Sequence, residues 1–108
     1  MIVYGIPTCE TCRKAIAALR GAGHDVEFHD VRKDPLTPPQ LKTFHEAFGD
    51  RLVNRSSATW RKLSEEDRNQ APLQLLAANP TLMKRPLIDT GGALFLGWTK
   101  DVQAELLG

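Results

Sequence analysis

The spacing of two cysteines, Cys9 and Cys12, constrains this chain more than any other feature, because they are its only cysteines. They follow a short apolar run, Ile2-Val3-Tyr4, which Gly5 and Pro7 close as strand-breaking residues. From position 12 onward the apolar residues recur at helical spacing. The pair therefore lies in a turn between a strand and a helix. Thr8 or Cys9 would cap this helix, which places Cys9 at its N-terminus and Cys12 in its first turn.

This placement gives the two thiols different chemistry. Backbone amides and the positive end of the helix dipole favour a thiolate at Cys9, and Arg13 and Lys14 add positive charge while Glu10 opposes it. The same amides could hold an oxyanion beside the nucleophile. We therefore predict Cys9 as the nucleophile and Cys12, one turn further in, as a resolving thiol.

Two other interpretations of the cysteine pair were weighed. A structural zinc site would need a second Cys-x-x-Cys or Cys-x-x-His pair, which the sequence lacks, and the three histidines are scattered, so no metal is predicted. An inert, buried role remains open for Cys12, which falls on the apolar face of the helix. It fits Cys9 less well, because Cys9 stands at the exposed cap.

Length and charge narrow the class of protein. The 108 residues predict a single domain over 1–108, and a monomer is expected. A net charge of +1 gives no reason to expect direct nucleic-acid binding or a membrane surface. The N-terminus lacks the pattern of a signal peptide. A cytoplasmic protein is expected. A structural disulfide is unusual there, and a Cys-x-x-Cys pair is more often redox-active or metal-binding.

The remaining patterns predict an α/β fold with a mixed sheet. A second strand is predicted around Val26 to Val31, and helices capped by residues such as Thr37 and Ser64 fill a helical insertion at about 37–79. Two apolar runs flank Thr90-Gly91-Gly92, a hairpin signal, and a last helix follows. The predicted order is β-α-β, helical insertion, β-β-α.

A second candidate feature is Arg85-Pro86, at the start of the predicted third strand. In a fold with a Cys-x-x-Cys helix, such a bond is often cis and packs against the active-site sulfurs, so that Arg85 would project toward Cys9. The sequence alone slightly favours a plainer interpretation, a solvated arginine before an edge-strand proline.

Together these residues resemble the arsenate reductase (ArsC/Spx/YffB-like) family, a branch of the thioredoxin/glutaredoxin-like fold. The resemblance covers nearly the whole chain. It is carried by five stretches: Tyr4-Gly5-Ile6, Thr8 to Ala15, Asn54 to Leu63, Lys84 to Ile88 and Leu96-Gly97-Trp98.

The resemblance implies roles for several residues. The nucleophile of the family maps onto Cys9, and its two anion-binding arginines map onto Arg55 and Arg85; Thr11 and Pro86 complete the expected substrate-binding set. A third arginine of arsenate reductases would fall near Leu96-Gly97-Trp98, where this chain has none, which disfavours arsenate as the substrate.

Three functions are consistent with the resemblance. The Leu96-Gly97-Trp98 ending is similar to the YffB-like group and implies a glutathione-dependent thiol reductase, with no metal or organic cofactor and glutathione as co-substrate. The run from Thr11 to Ala15 is similar to Spx, a redox-sensing regulator that binds RNA polymerase. Arsenate reduction is the third. We favour the thiol–disulfide oxidoreductase.

Overall fold

The computed structural model describes all 108 residues, in four strands and six α-helices. In chain order these are β1 (Ile2–Gly5), α1 (Glu10–Gly21), β2 (Glu27–Asp30), α2 (Pro38–Phe48), α3 (Ala58–Lys62), α4 (Glu65–Arg68), α5 (Pro72–Ala78), β3 (Leu87–Asp89), β4 (Leu94–Leu96) and α6 (Lys100–Leu107). Two short 3-10 helices lie at Gly49–Leu52 and Pro80–Leu82. The predicted order of β-α-β, helical insertion and β-β-α is confirmed.

The four strands form one mixed sheet in the order β2-β1-β3-β4. Strand β1 runs parallel to β2, with Val3 opposite Phe28, and antiparallel to β3, with Val3 opposite Ile88. Strands β3 and β4 form the predicted hairpin. Because β1 and β3 are the two interior strands, the residues just after β1 and just before β3 emerge side by side from the middle of the sheet.

The sheet belongs to a compact unit made of Met1–Val31 and Arg85–Gly108. Its core joins residues from β1 and β3, from helices α1 and α6, and from the position just before β2: Val3, Ile88, Leu19, Val102 and Val26. Helix α1 turns Ala15 and Leu19 inward and leaves most of its charged residues exposed, as the helical spacing of its apolar residues predicts. This packing fixes the axis of α1 and so the direction in which its N-terminus points.

A second compact unit spans Arg32–Lys84 and contains helices α2 to α5. Thr37 begins α2 through a reciprocal capping box with Gln40, and Ser57 and Ser64 accept hydrogen bonds from the backbone amides of the helices they begin. Helix α2 packs against α5. Three of the four helices thus begin at a capping residue that the sequence shows, whereas α5 begins after Ala71 without a side-chain cap and was indicated by its apolar residues.

The helical insertion was expected at about 37–79, and its helices run from Pro38 to Ala78. That residues 1–108 fold as a single domain stays a prediction. No helix of the chain is both long enough and apolar enough to pass through a lipid bilayer.

Candidate active site

Cys9 lies at the N-cap of α1, where the sequence placed it. Its backbone is extended (φ −79°, ψ 113°), and its amide donates to the carbonyl of Ile6 over 3.1 Å, closing the turn that leaves β1. Its own carbonyl accepts the first hydrogen bond of the helix, from Arg13, also over 3.1 Å. The side chain of Cys9 is partly exposed, and both cysteines are reduced. A reagent from solvent can therefore reach Cys9.

The surroundings of Cys9 favour its thiolate. Partial burial alone would raise the pKa of the Cys9 thiol, but the opposing interactions outweigh it and the pKa is lowered. These interactions are hydrogen bonds to the sulfur from the amide and the thiol of Cys12 and from the Arg85 side chain, together with the positive charge of Arg85. The deprotonated form, which is the nucleophilic one, is thus stabilised at Cys9.

Cys12 has the opposite environment. It is fully buried in the first turn of α1. Burial raises its pKa to about 12, and the hydrogen bond that it donates to Cys9 adds to this effect, while an amide hydrogen bond from Ile6 acts in the other direction. At neutral pH the Cys12 thiol therefore keeps its proton and serves Cys9 as a hydrogen-bond donor.

Gly5 makes the burial of Cys12 possible. A Cβ built on Gly5 would lie 2.5 Å from the Sγ of Cys12 and 3.3 Å from its Cβ. Only a residue without a side chain lets α1 bring this sulfur so close to the end of β1. From the sequence, Gly5 was predicted only to end a strand; a glycine just before a Cys-x-x-Cys turn is the signal that could have indicated this contact.

Arg85 and Pro86 enter the site from β3. Their peptide bond is cis, Pro86 is fully buried, and the carbonyl of Pro86 accepts a hydrogen bond from Gly97 over 2.7 Å. The plainer interpretation of Arg85 was wrong on two counts. Strand β3 lies in the interior of the sheet and is not an edge strand. Arg85 is half-buried and hydrogen-bonded to the sulfur of Cys9, and is therefore not a solvated side chain.

The structure thus brings Cys9, Cys12, Arg85 and Pro86 together in the unit that contains the sheet. Thr11 lies in the first turn of α1 with its side chain exposed. The roles in catalysis and substrate binding that were assigned to these five residues remain predictions.

Arg55 lies in the other unit, just before α3. Its guanidinium carbon stands 5.4 Å from the ring centroid of Trp60, and that of Arg68 stands 5.3 Å from the same ring. Trp60 thus packs against two guanidinium groups. Arg55 precedes α3 and Arg68 lies in α4, so neither contact follows from the apolar spacing within a single helix.

A shallow apolar cavity of about 540 Å³ borders Cys12. Ile6, Ile16 and Phe28 are among its lining residues, and Arg13 and Arg20 line it as well. This surface could accommodate an apolar group close to the cysteine pair. This cavity was not predicted from the sequence, because its residues come from three segments, the turn after β1, helix α1 and strand β2.

Comparison with known proteins identifies the family. The model of the ArsC family matches residues 4–106 of the chain. An uncharacterized protein of Haemophilus influenzae is 43% identical over 110 residues, covering 94% of this chain and 95% of the relative. The global transcriptional regulator Spx of Listeria innocua is 32% identical over 108 residues, covering 92% of this chain and 80% of Spx.

Among solved structures, a YFFB protein superposes with a TM-score of 0.90 at 28% identity, covering 99% of this chain and 98% of that one. The predicted thioredoxin-like architecture with its helical insertion is confirmed. The match to the family model over almost the full length, the relatives and the shared fold agree, and this chain belongs to the ArsC family.

Proposed function

We propose that this protein is a thiol–disulfide oxidoreductase that uses Cys9 as its nucleophile and glutathione as its reductant. The observation that carries the proposal is the opposite environment of the two sulfurs: the pKa of Cys9 is lowered, and that of Cys12 is raised to about 12. Only a thiolate attacks a disulfide, so the two cysteines are unequal partners in the reaction.

In the first step the Cys9 thiolate attacks one sulfur of a substrate disulfide. The sulfur–sulfur bond of the substrate breaks, a mixed disulfide forms on Cys9, and the departing thiolate takes a proton from water. Arg85 donates a hydrogen bond to the sulfur of Cys9 in the resting protein and so stabilises negative charge on that sulfur. The cavity beside Cys12 offers contact area to an apolar part of the substrate.

In the second step a glutathione thiolate attacks the Cys9 sulfur. The bond between Cys9 and the substrate sulfur breaks, the substrate departs as a thiolate that takes a proton from water, and a Cys9–glutathione disulfide forms. A second glutathione thiolate then attacks the glutathione sulfur of this disulfide, which yields oxidised glutathione and releases Cys9 as a thiolate. Cys12 is a poor resolving group because burial, the main reason for its raised pKa, persists when Cys9 is covalently modified. We assign it the role of hydrogen-bond donor to Cys9.

Anionic groups of glutathione are proposed to meet Arg55 and Arg85, with Thr11 and Pro86 lining the approach to Cys9. The chemistry needs no metal or organic cofactor. It suits a monomer in the reducing cytoplasm, where glutathione is maintained in its thiol form.

The test is a turnover assay with glutathione and a model disulfide on the wild type, Cys9→Ser and Cys12→Ser. Cys9→Ser should abolish turnover, and Cys12→Ser should retain it, because glutathione resolves the intermediate. Retained turnover in Cys9→Ser would refute the assignment of the nucleophile. Loss of turnover in Cys12→Ser, with trapping of the mixed disulfide, would return the resolving role to Cys12.

The 32% identity to Spx favours a second candidate, a redox-sensing regulator that binds RNA polymerase. Under this alternative the protein shows no turnover with any disulfide, and its affinity for RNA polymerase changes when Cys9 is oxidised. Arsenate reduction is the third candidate, and a parallel assay with arsenate tests it. The absence of an arginine around Leu96-Gly97-Trp98 predicts no arsenate turnover.

A further inference from the structure

A polar cavity of about 340 Å³ lies in the Arg32–Lys84 unit, beside the 3-10 helix Gly49–Leu52. Three cations line it, Arg51, Arg55 and Lys84, and one carboxylate, Asp50. None of these four side chains makes an ion pair. Three like charges repel one another around the same cavity, so a bound anion would be stabilised by all of them.

Arg55 is held in place for such a contact. Its guanidinium stacks over Trp60, and the ring of Trp60 also contacts the guanidinium of Arg68. Arg68 in turn donates to the carbonyl of Trp60 through Nε over 3.2 Å and through a terminal nitrogen over 3.1 Å. The terminal nitrogen also reaches the carbonyl of Arg61 over 3.3 Å. This support reduces the conformational entropy that Arg55 would lose when it binds a ligand.

Neutral polar groups complete the lining. Asn54 and Ser56 both border the cavity, and the Asn54 side-chain oxygen accepts the amide of Ser56 over 3.0 Å. This bond leaves the side-chain NH₂ of Asn54 and the hydroxyl of Ser56 available to a ligand. The cavity therefore presents cationic donors, neutral donors and a single anionic acceptor.

We propose that this cavity binds the α-amino-acid head group of a γ-glutamyl ligand. The cations would hold the carboxylate and Asp50 would accept the ammonium. A bare inorganic oxyanion would leave Asp50 opposing it and would fill little of a cavity that lies in the size range of small-molecule sites. The choice of a γ-glutamyl compound rests on the proposed use of glutathione.

The test is a ¹⁵N NMR titration of the full-length Cys9→Ser protein with S-methylglutathione, which cannot take part in thiol exchange. Saturable shifts at the amides of residues 50–56 and 84 are expected. Arg51→Gln and Lys84→Gln should each weaken binding about fivefold, the size of one solvent-exposed charge pair. Lys62→Gln, which removes an exposed cation of the same unit outside the cavity, is the matched control and should bind like the parent.

A second pair of probes tests the head group itself. N-acetylated S-methylglutathione, which lacks the ammonium, should bind more weakly than S-methylglutathione, and Asp50→Asn should remove that difference. Inorganic phosphate binding as tightly as S-methylglutathione would overturn the choice of ligand. Absence of saturable shifts at these amides, or equal weakening by Lys62→Gln, would overturn the site.

The outcome is independent of the turnover assay. Saturable binding here without any glutathione-dependent turnover would keep this site and refute the proposed reaction. Turnover with glutathione, but no shifts around residues 50–56 and 84, would keep the reaction and refute this site.

Discussion

Gly5 and the Sγ of Cys12 are so close that a Cβ placed on Gly5 would lie 2.5 Å from this sulfur. Cβ atoms in proteins do not approach other heavy atoms so closely. Adding a methyl group at Gly5 must therefore displace either α1 or the end of β1. We expect Gly5→Ala to lower the free energy of unfolding by about 1–3 kcal/mol, the usual cost of overpacking a core. Urea denaturation followed by circular dichroism measures this change.

Two variants separate the contact from a general effect of alanine. Gly21→Ala places a Cβ where no heavy atom lies within 4 Å, at the end of α1, and should leave stability unchanged or slightly raised. Cys12→Ala removes the sulfur, so the Gly5→Ala/Cys12→Ala double variant should lose less than the sum of the two single variants. Additive losses would show that the Gly5–Cys12 contact is not the source of the destabilisation.

The hydrogen bond and the charge of Arg85 lower the pKa of Cys9, and replacing Arg85 tests this contribution. Arg85→Gln removes the charge, so the pKa of Cys9 should rise and less thiolate should be present at neutral pH. The rate of alkylation by iodoacetamide as a function of pH reports this pKa, and its midpoint should move to higher pH than in the wild type.

Arg13→Gln is the control for this experiment. Arg13 carries the same charge as Arg85 and lies in the first turn of α1, close to Cys9 in sequence. It is exposed, however, and is not among the groups that shift the pKa of Cys9. Its alkylation profile should match that of the wild type. Equal shifts in both variants would mean that the net charge of the helix terminus, rather than the contact with Arg85, sets the pKa.

The order of the elements was predictable because each is encoded locally. Thr37 followed by Pro38 begins a helix through capping and a preset backbone angle, and Thr90-Gly91-Gly92 turns a hairpin, whatever surrounds them. The position of Cys9 at a helix N-cap follows from the same local signals. Spacing alone thus located the candidate nucleophile.

Sheet order and long-range contacts were not predictable in this way. Strand β3 is interior because β1 pairs with it on one side and β4 on the other, which no pattern around Pro86 specifies. The contact of Gly5 with Cys12 likewise depends on how α1 packs against the end of β1. The cations around Asp50 include Lys84, which joins Arg51 and Arg55 only in the folded chain. The sequence could name Arg85 but could not show that it is half-buried beside Cys9.

The raised pKa of Cys12 predicts that a thiol reagent modifies Cys9 selectively. When reduced wild-type protein is treated with iodoacetamide at neutral pH, Cys9 alone should be alkylated, because Cys12 is fully buried and remains protonated. Peptide mapping by mass spectrometry identifies the modified residue. Unfolding in urea before treatment should render both cysteines reactive, and modification of Cys12 in the folded protein would contradict its burial.

Cys12 should also make stability fall at alkaline pH. In the unfolded chain a cysteine ionises near pH 8.5, whereas Cys12 in the folded protein ionises at about 12. Above about pH 8.5 the unfolded state therefore loses a proton that the folded state keeps. The free energy of unfolding should then decrease with rising pH, with a slope of up to about 1.4 kcal/mol per pH unit from this group. Urea denaturation at a series of pH values, from about neutral to alkaline, measures the slope.

Cys12→Ala removes the titrating group and keeps the backbone amide that donates to Cys9, but it also removes the thiol hydrogen bond that helps to lower the pKa of Cys9. Cys9 contributes with the opposite sign: its lowered pKa adds stability as the pH rises toward that of the unfolded thiol, and this gain should be smaller in Cys12→Ala. The comparison is therefore made above about pH 8.5, where Cys9 is ionised in both states and the wild type should lose stability more steeply than Cys12→Ala. Parallel curves throughout would mean that Cys12 titrates normally in the folded protein and that its thiol is not held protonated beside Cys9.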